Sequence, residues 1–324
     1  MDTPRSPQSD PPNTDPPRPD ASDTTSSRSL DASSNPFEVL KSRYLIFGTF
    51  LTATLGIICL YALISQWPFV PSASEDPIAT PILTLAVFSV MVMSIFWVGR
   101  SQGLKVRYIF GTRSPRFSIL RSIVLVLSLL LFSLGISSLV LYLLSLSFPG
   151  YVEQLLKSDP LIDSTRSEYP RLYEALTVFW LLIFAPVVEE LLFRGILLQR
   201  WSVKWGLRMG VLTSSILFGI LHTHNPIGLS VFGLAMGLLY VRTHSLWVPI
   251  ACHSLNNLAG IGIEWLSQVA ADGQVTTVED IQELWWMSLI LVAVSLPFLG
   301  RFVWHSWPKS ADDIPYVLNI SLKH

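Results

Sequence analysis

The chain has 324 residues; half are hydrophobic and only 14% are Asp, Glu, Lys or Arg, against about 25% for an ordinary soluble domain. A net charge of -1 and a mean hydropathy of +0.48 exclude a disordered scaffold, a nucleic-acid binder and a typical soluble enzyme. What fits is an all-α, polytopic membrane bundle of about eight transmembrane helices behind a disordered N-terminal tail.

Residues 1–36 are dominated by Pro, Ser, Asp and Thr. So little of this segment can be buried that its ordering entropy goes unopposed, and it is expected to be a disordered cytosolic tail. No apolar stretch and cleavage site follow a basic start, and the aspartates argue against a transit peptide. A membrane domain is expected over 37–309 and a short cytosolic tail over 310–324. A helix needs about 20 residues to cross a bilayer. Tyr44–Ile64, Ile78–Val98, Ile123–Leu146, Leu246–Leu266 and Leu284–Trp304 meet that length. Glu174–Leu198 meets it but carries charges, while Val211–His222 and Ile227–Val241 are short. Cys59 and Cys252 lie inside apolar runs and read as small hydrophobes, not a disulfide pair.

Basic residues mark alternate ends. Lys41 and Arg43 precede the first span, and the segment after the second holds Arg100, Lys105, Arg107, Arg113, Arg116 and Arg121 with no acid. Arg200, Lys204, Arg208, Arg242, Arg301 and Lys309 continue the pattern, whereas 65–77 and 267–283 contain acids and no Lys or Arg. The loop between the third and fourth spans is mixed. The positive-inside rule places both termini in the cytosol of a multi-pass protein, in a bacterial plasma membrane or its equivalent. The Arg100–Arg121 segment is read as a solvated loop obeying that rule, with anionic lipid as its alternative partner.

A charge at the centre of a span costs at least about 2.5–3.5 kcal/mol, so each needs a reason. The reasons cluster between residues 186 and 257. Pro186 opens the helix hydrogen-bond ladder ahead of Glu189 and Glu190. Adjacent glutamates point about 100° apart, so one can face a cavity while the other turns aside. Glu190 and Arg194 are four apart and share a face, which leaves Glu189 as the less compensated acid and a candidate general base. Phe218 and His222 share a face of the next helix, and Gly219 admits a close neighbour. His253 and Asn257 are again four apart and can reach one point, while Asn256 faces elsewhere. The bland alternatives are an interfacial Glu–Arg network, an interfacial histidine and polar glue between helices. His224, His244, His305 and His324 read as loop or surface residues.

Taken together, a glutamate that can deprotonate water and His and Asn side chains that can steady an oxyanion, or bind a metal, are the parts needed to hydrolyse an amide. No H-E-x-x-H zinc motif occurs, Gly228-Leu229-Ser230 lacks the G-x-S-G form of a serine rhomboid, and no confident span carries Asp. Glu189-Glu190-x-x-x-Arg194, Phe218-x-x-x-His222 and His253-x-x-x-Asn257, in that order on separate helices, resemble the three motifs of the CPBP family, the type II CAAX prenyl endopeptidases or Abi family. The resemblance covers about 170–270 and is most specific at EELLFRG. It implies an intramembrane endopeptidase acting on a membrane-anchored or prenylated protein or peptide in the bilayer. In that reading Glu189 activates water with His222 assisting, and His253 and Asn257 stabilise the oxyanion. Zinc stays open, with Glu189, His222 and His253 as its ligands; two His and an Asn alone are a poor zinc set, and Glu189 bound to a metal is less free to act as base. A non-catalytic scaffold or immunity-type factor, and a proton-coupled transporter, are the competing readings, the last without an inverted repeat to support it. One mismatch of depth stands: His222 falls at the outer end of its span, and Glu189 and His253 nearer the cytosolic half, unless the chain dips inward around Thr223–Pro226.

Overall fold

The computed structural model describes residues 35–40, 76–112, 118–157, 162–271, 276–309 and 312–322, with isolated positions between 48 and 62. The expected disordered tail and most of the first expected span, Tyr44–Ile64, lie outside the described residues. The elements below belong to one compact unit, Pro36–His324.

Among the described residues every regular element is helical. They are α1 Pro36–Val39, α2 Ala79–Ser101, α3 Val106–Phe110, α4 Ile119–Ser147, α5 Pro149–Leu156, α6 Pro170–Trp205, α7 Leu207–Leu221, α8 Pro226–Thr243, α9 Trp247–Ala271, α10 Val278–Glu283, α11 Trp285–Ser306 and α12 Pro315–Ser321. Five of these, α2, α4, α6, α8 and α11, are long and apolar enough to cross a membrane, which makes the chain an integral membrane protein. The expected span Leu246–Leu266 falls within α9, whose 25 residues are less apolar than those five helices. His253, Asn256, Asn257 and Glu264 dilute its apolar character, as they can where a helix turns polar groups toward a protein interior. At 15 residues α7 rises only roughly 22 Å, too short to cross alone.

Position within the bundle follows from what each helix buries. Some 61% of the most apolar stretch of α8 is buried, against 11% for α2 and 17% for α11, so α8 is central and the other two present apolar faces outward. Hydrocarbon satisfies those faces, which carry Met93, Trp97, Phe298 and Trp304. α4 lies along α11, where a Cβ at Gly135 would press within 3.0 Å of the Leu291 side chain. α7 lies along α8, and a Cβ at Gly219 would overlap the Ser230 hydroxyl and the Pro226 carbonyl, so glycine is what lets the hairpin close.

Residues 312–322, expected within a cytosolic tail, carry the docked helix Pro315–Ser321. The Tyr316 N–H donates to Gln199 Oε1 at 2.8 Å, and Asn319 Nδ2 donates to the carbonyls of Tyr108 and His244, each at 2.8 Å. Phe37 meets Tyr316 edge-on at 5.2 Å, so α1 and α12 cover the same end of the bundle.

Candidate functional site

The site grows from an irregular stretch of α6. Pro186 has no N–H to give, and ahead of it Trp180–Phe184 winds as a π-helix in which the Ala185 N–H reaches back five residues to the Trp180 carbonyl. In that register the Leu181 carbonyl faces the N–H that Pro186 lacks. Asn257 Nδ2 donates to this carbonyl at 2.8 Å. After one α-helical segment, Ala185–Glu190, the helix relaxes again into a π-turn over Leu191–Leu198. Glu189 and Glu190 therefore sit between two underwound stretches, a geometry frequent at functional sites.

The two glutamates diverge, as adjacent helical residues must. Glu190 Oε1 accepts from Arg194 Nη1 at 2.8 Å, and both side chains are fully buried. Arg194 also donates from Nη2 to the Gly233 carbonyl at 3.0 Å and lies over the Phe218 ring at 4.7 Å. Glu190 Oε1 meets His253 Nδ1 at 2.9 Å. The network is interior, not interfacial.

Glu189 faces the other way. Its Oε2 stands 3.8 Å from His222 Nε2 and 3.9 Å from His253 Nε2, and among the described residues it has no hydrogen-bond partner. The side chain is 16% exposed and that of His222 is 26% exposed, so the pair is reachable from outside. His222 Nδ1 donates to the Phe218 carbonyl at 2.7 Å. A carbonyl and a carboxylate only accept, so both histidines carry their proton on Nδ1 and turn Nε2 toward Glu189. Phe218 is the hub: its ring packs on both imidazoles as well as on Arg194.

The depth mismatch disappears because α7 stops at Leu221 and His222 sits at its end, beside Glu189. The turn at 222–225 is pinned by Asn225, whose Oδ1 accepts from the Gly228 N–H and whose Nδ2 donates to the Ser133 hydroxyl at 2.7 Å. Ser133 and Gly233 were not singled out by sequence. Ser133 is one of several Ser in its apolar run, so nothing marked it out, and a backbone carbonyl offers no signal for the second.

Asn257 is not paired with His253 at one point as the spacing allowed; its amide nitrogen is engaged with Leu181. Nor do Glu189, His222 and His253 assemble a metal set: among the described residues no group of three or more His, Cys, Asp and Glu side chains has metal-holding geometry. Tetrahedral ligands about 2.0–2.1 Å from zinc lie roughly 3.3 Å from one another, closer than the carboxylate stands to either imidazole.

Two imidazoles face one partnerless carboxylate oxygen, beside a second carboxylate paired with arginine, in a cluster enclosed by helices. The segment that carries these residues is also the one that resembles known proteins. Residues 171–259 match the family described as Rce1-like, type II CAAX prenyl endopeptidase Rce1-like. The chain is 34% identical over 77 residues to putative membrane peptidase YdiL of Bacillus subtilis (strain 168), covering 23% of this chain and 32% of that protein. It is 30% identical over 100 residues to CAAX prenyl protease 2 of Homo sapiens, covering 24% of this chain and 30% of that protein. The rat protein of the same name is 33% identical over 79 residues, 24% of this chain and 26% of that one. The chain thus matches about a third or less of the length of these curated relatives. No solved structure matches it.

Proposed function

We propose that the protein is an intramembrane endopeptidase that cleaves a membrane-associated or prenylated protein with water activated by Glu189. The observation that supports this best is the partnerless Glu189 Oε2 faced by two Nε2 atoms at 3.8 and 3.9 Å, too long for direct hydrogen bonds and spaced for a shared water. Glu189 accepts a proton as the water oxygen adds to the scissile carbonyl carbon. In its doubly protonated form His253, with Nδ1 held by Glu190 Oε1, donates from Nε2 to the resulting oxyanion. The proton held on Glu189 then passes to the leaving nitrogen as the C–N bond breaks. His222 holds the water from the opposite side. Asn257 acts as a positioning residue through the Leu181 carbonyl, and no step runs through a metal.

The same reading puts both termini on the cytosolic side of a multi-pass bundle crossed by the five long apolar helices. The test is Glu189→Gln. Terminal proteomics of membranes should show at least one protein terminus present with the wild type and absent with the variant, both being inserted and folded. An unchanged set of termini would sink the proposal.

A further inference from the structure

A second polar feature lies away from Glu189, where α4 begins and α11 ends. A cavity of about 560 Å³ opens there between the two helices and bears Arg121 from α4, Arg242 from α8, and Arg301 and His305 from α11. No Asp or Glu lines it. Among the described residues none of the three arginines has an ion-pair partner, and the side-chain hydrogen bond they show is from Arg242 Nη1 to the Ser306 hydroxyl at 3.2 Å. Like charges gathered this way repel one another. Arg121 is placed worse still, in the first turn of α4, where the helix dipole is positive and Ser118 supplies no side-chain cap. An anion among the three guanidinium groups would reverse each of these costs.

The rest of the cavity is apolar. Val124, Phe298 and Phe302 form its wall, and Val124 and Phe298 are exposed on faces that hydrocarbon must cover. Arg121 and Arg242 also line a smaller recess of about 80 Å³. The basic end falls on the side that the positive-inside rule makes cytosolic, at the depth where phosphate headgroups lie. A free phosphate would use the arginines but not the apolar wall. We propose that this cleft binds one anionic phospholipid, its phosphate among Arg121, Arg242 and Arg301 and an acyl chain along Val124, Phe298 and Phe302.

The experiment is native mass spectrometry of the full-length protein, delipidated in a nonionic detergent and titrated with dioleoylphosphatidylglycerol. One lipid should bind, and Arg121→Gln/Arg301→Gln should weaken it roughly thirty-fold, since each basic side chain near a membrane surface contributes about a factor of five. Arg171→Gln removes a charge elsewhere and should leave binding unchanged. Val124→Trp fills the cleft without touching a charge, should weaken binding as well, and decides the matter if the double variant does not fold. Equal binding of dioleoylphosphatidylcholine overturns the anion, displacement by millimolar inorganic phosphate overturns the lipid, and equal loss in Arg171→Gln overturns the location.

Discussion

Glu189 and Glu190 are neighbours in sequence with opposite energetic roles. Glu190 is bound to Arg194 and His253, so losing either partner strands a charge in the interior. Arg194→Met should cost about 3–5 kcal/mol of stability, read as a drop in the thermal unfolding midpoint in detergent. Arg194→Lys should rescue little, because an ammonium cannot span Glu190 and the Gly233 carbonyl at once. Glu189→Gln should leave that midpoint near the wild-type value, since its Oε2 has no partner to lose. Under the proposed function, activity and stability should therefore separate between adjacent positions. This division was legible in the sequence, because the four-residue step from 190 to 194 fixes which glutamate is neutralised. The role of Phe218 as the surface shared by Arg194 and both imidazoles was not, because spacing within one helix says nothing of what arrives from two others.

At the scale of the element, the irregular α6 is held in shape by α9. If the π-turn ahead of Pro186 exposes the Leu181 carbonyl, Asn257→Leu should cost about 1–3 kcal/mol by leaving that buried acceptor unpaired. In a Pro186→Ala background the chain regains an N–H for Leu181, and the same substitution should cost under about 0.5 kcal/mol. A double-mutant cycle on unfolding midpoints measures this, and full additivity would mean that Asn257 serves something other than the kink. The motif spacing predicted that His253 and Asn257 share a face, and they do; the distortion that gives each a separate partner could be read only as far as Pro186 announces it. The docking of α12 was not legible at all. Ile314–Ile320 is too short for a span and too brief for a periodic signal, and its anchors, Gln199 and Asn319, are polar residues whose partners are mostly backbone groups distant in sequence. Asn319→Leu should likewise cost about 1–3 kcal/mol, by removing the two hydrogen bonds that its amide donates to the carbonyls of Tyr108 and His244.

For the whole molecule, hydropathy located most of the apolar helices but could not rank them, since a helix facing lipid and one buried in protein are equally apolar; only packing reveals α8 as central. Loop charge predicted opposite ends of different character. The basic end holds α12 and the lipid cleft, and the acidic end is organised by Asp76. That carboxylate, 2% exposed, accepts from the Ile78 N–H that opens α2 and, across 92 residues, from the Glu168 N–H, both at 2.9 Å. Burial works to raise its pKa, but these bonds and one from the Ser167 hydroxyl outweigh it and hold the carboxyl below its ordinary value. A depressed folded pKa means that the tie contributes fully above the unfolded value of about 4 and is lost as pH falls below it, through the folded pKa. Hydrogen exchange at the Ile78 and Glu168 amides should therefore stay protected, after correction for intrinsic rates, from neutral pH down to about 4, and open below that. Asp76→Asn keeps one acceptor oxygen where two separate N–H groups need one each, so one of these amides should be open at every pH. Protection of both amides in that variant, or opening of the wild type already near pH 6, would show that the end of the bundle is held by something other than this carboxylate.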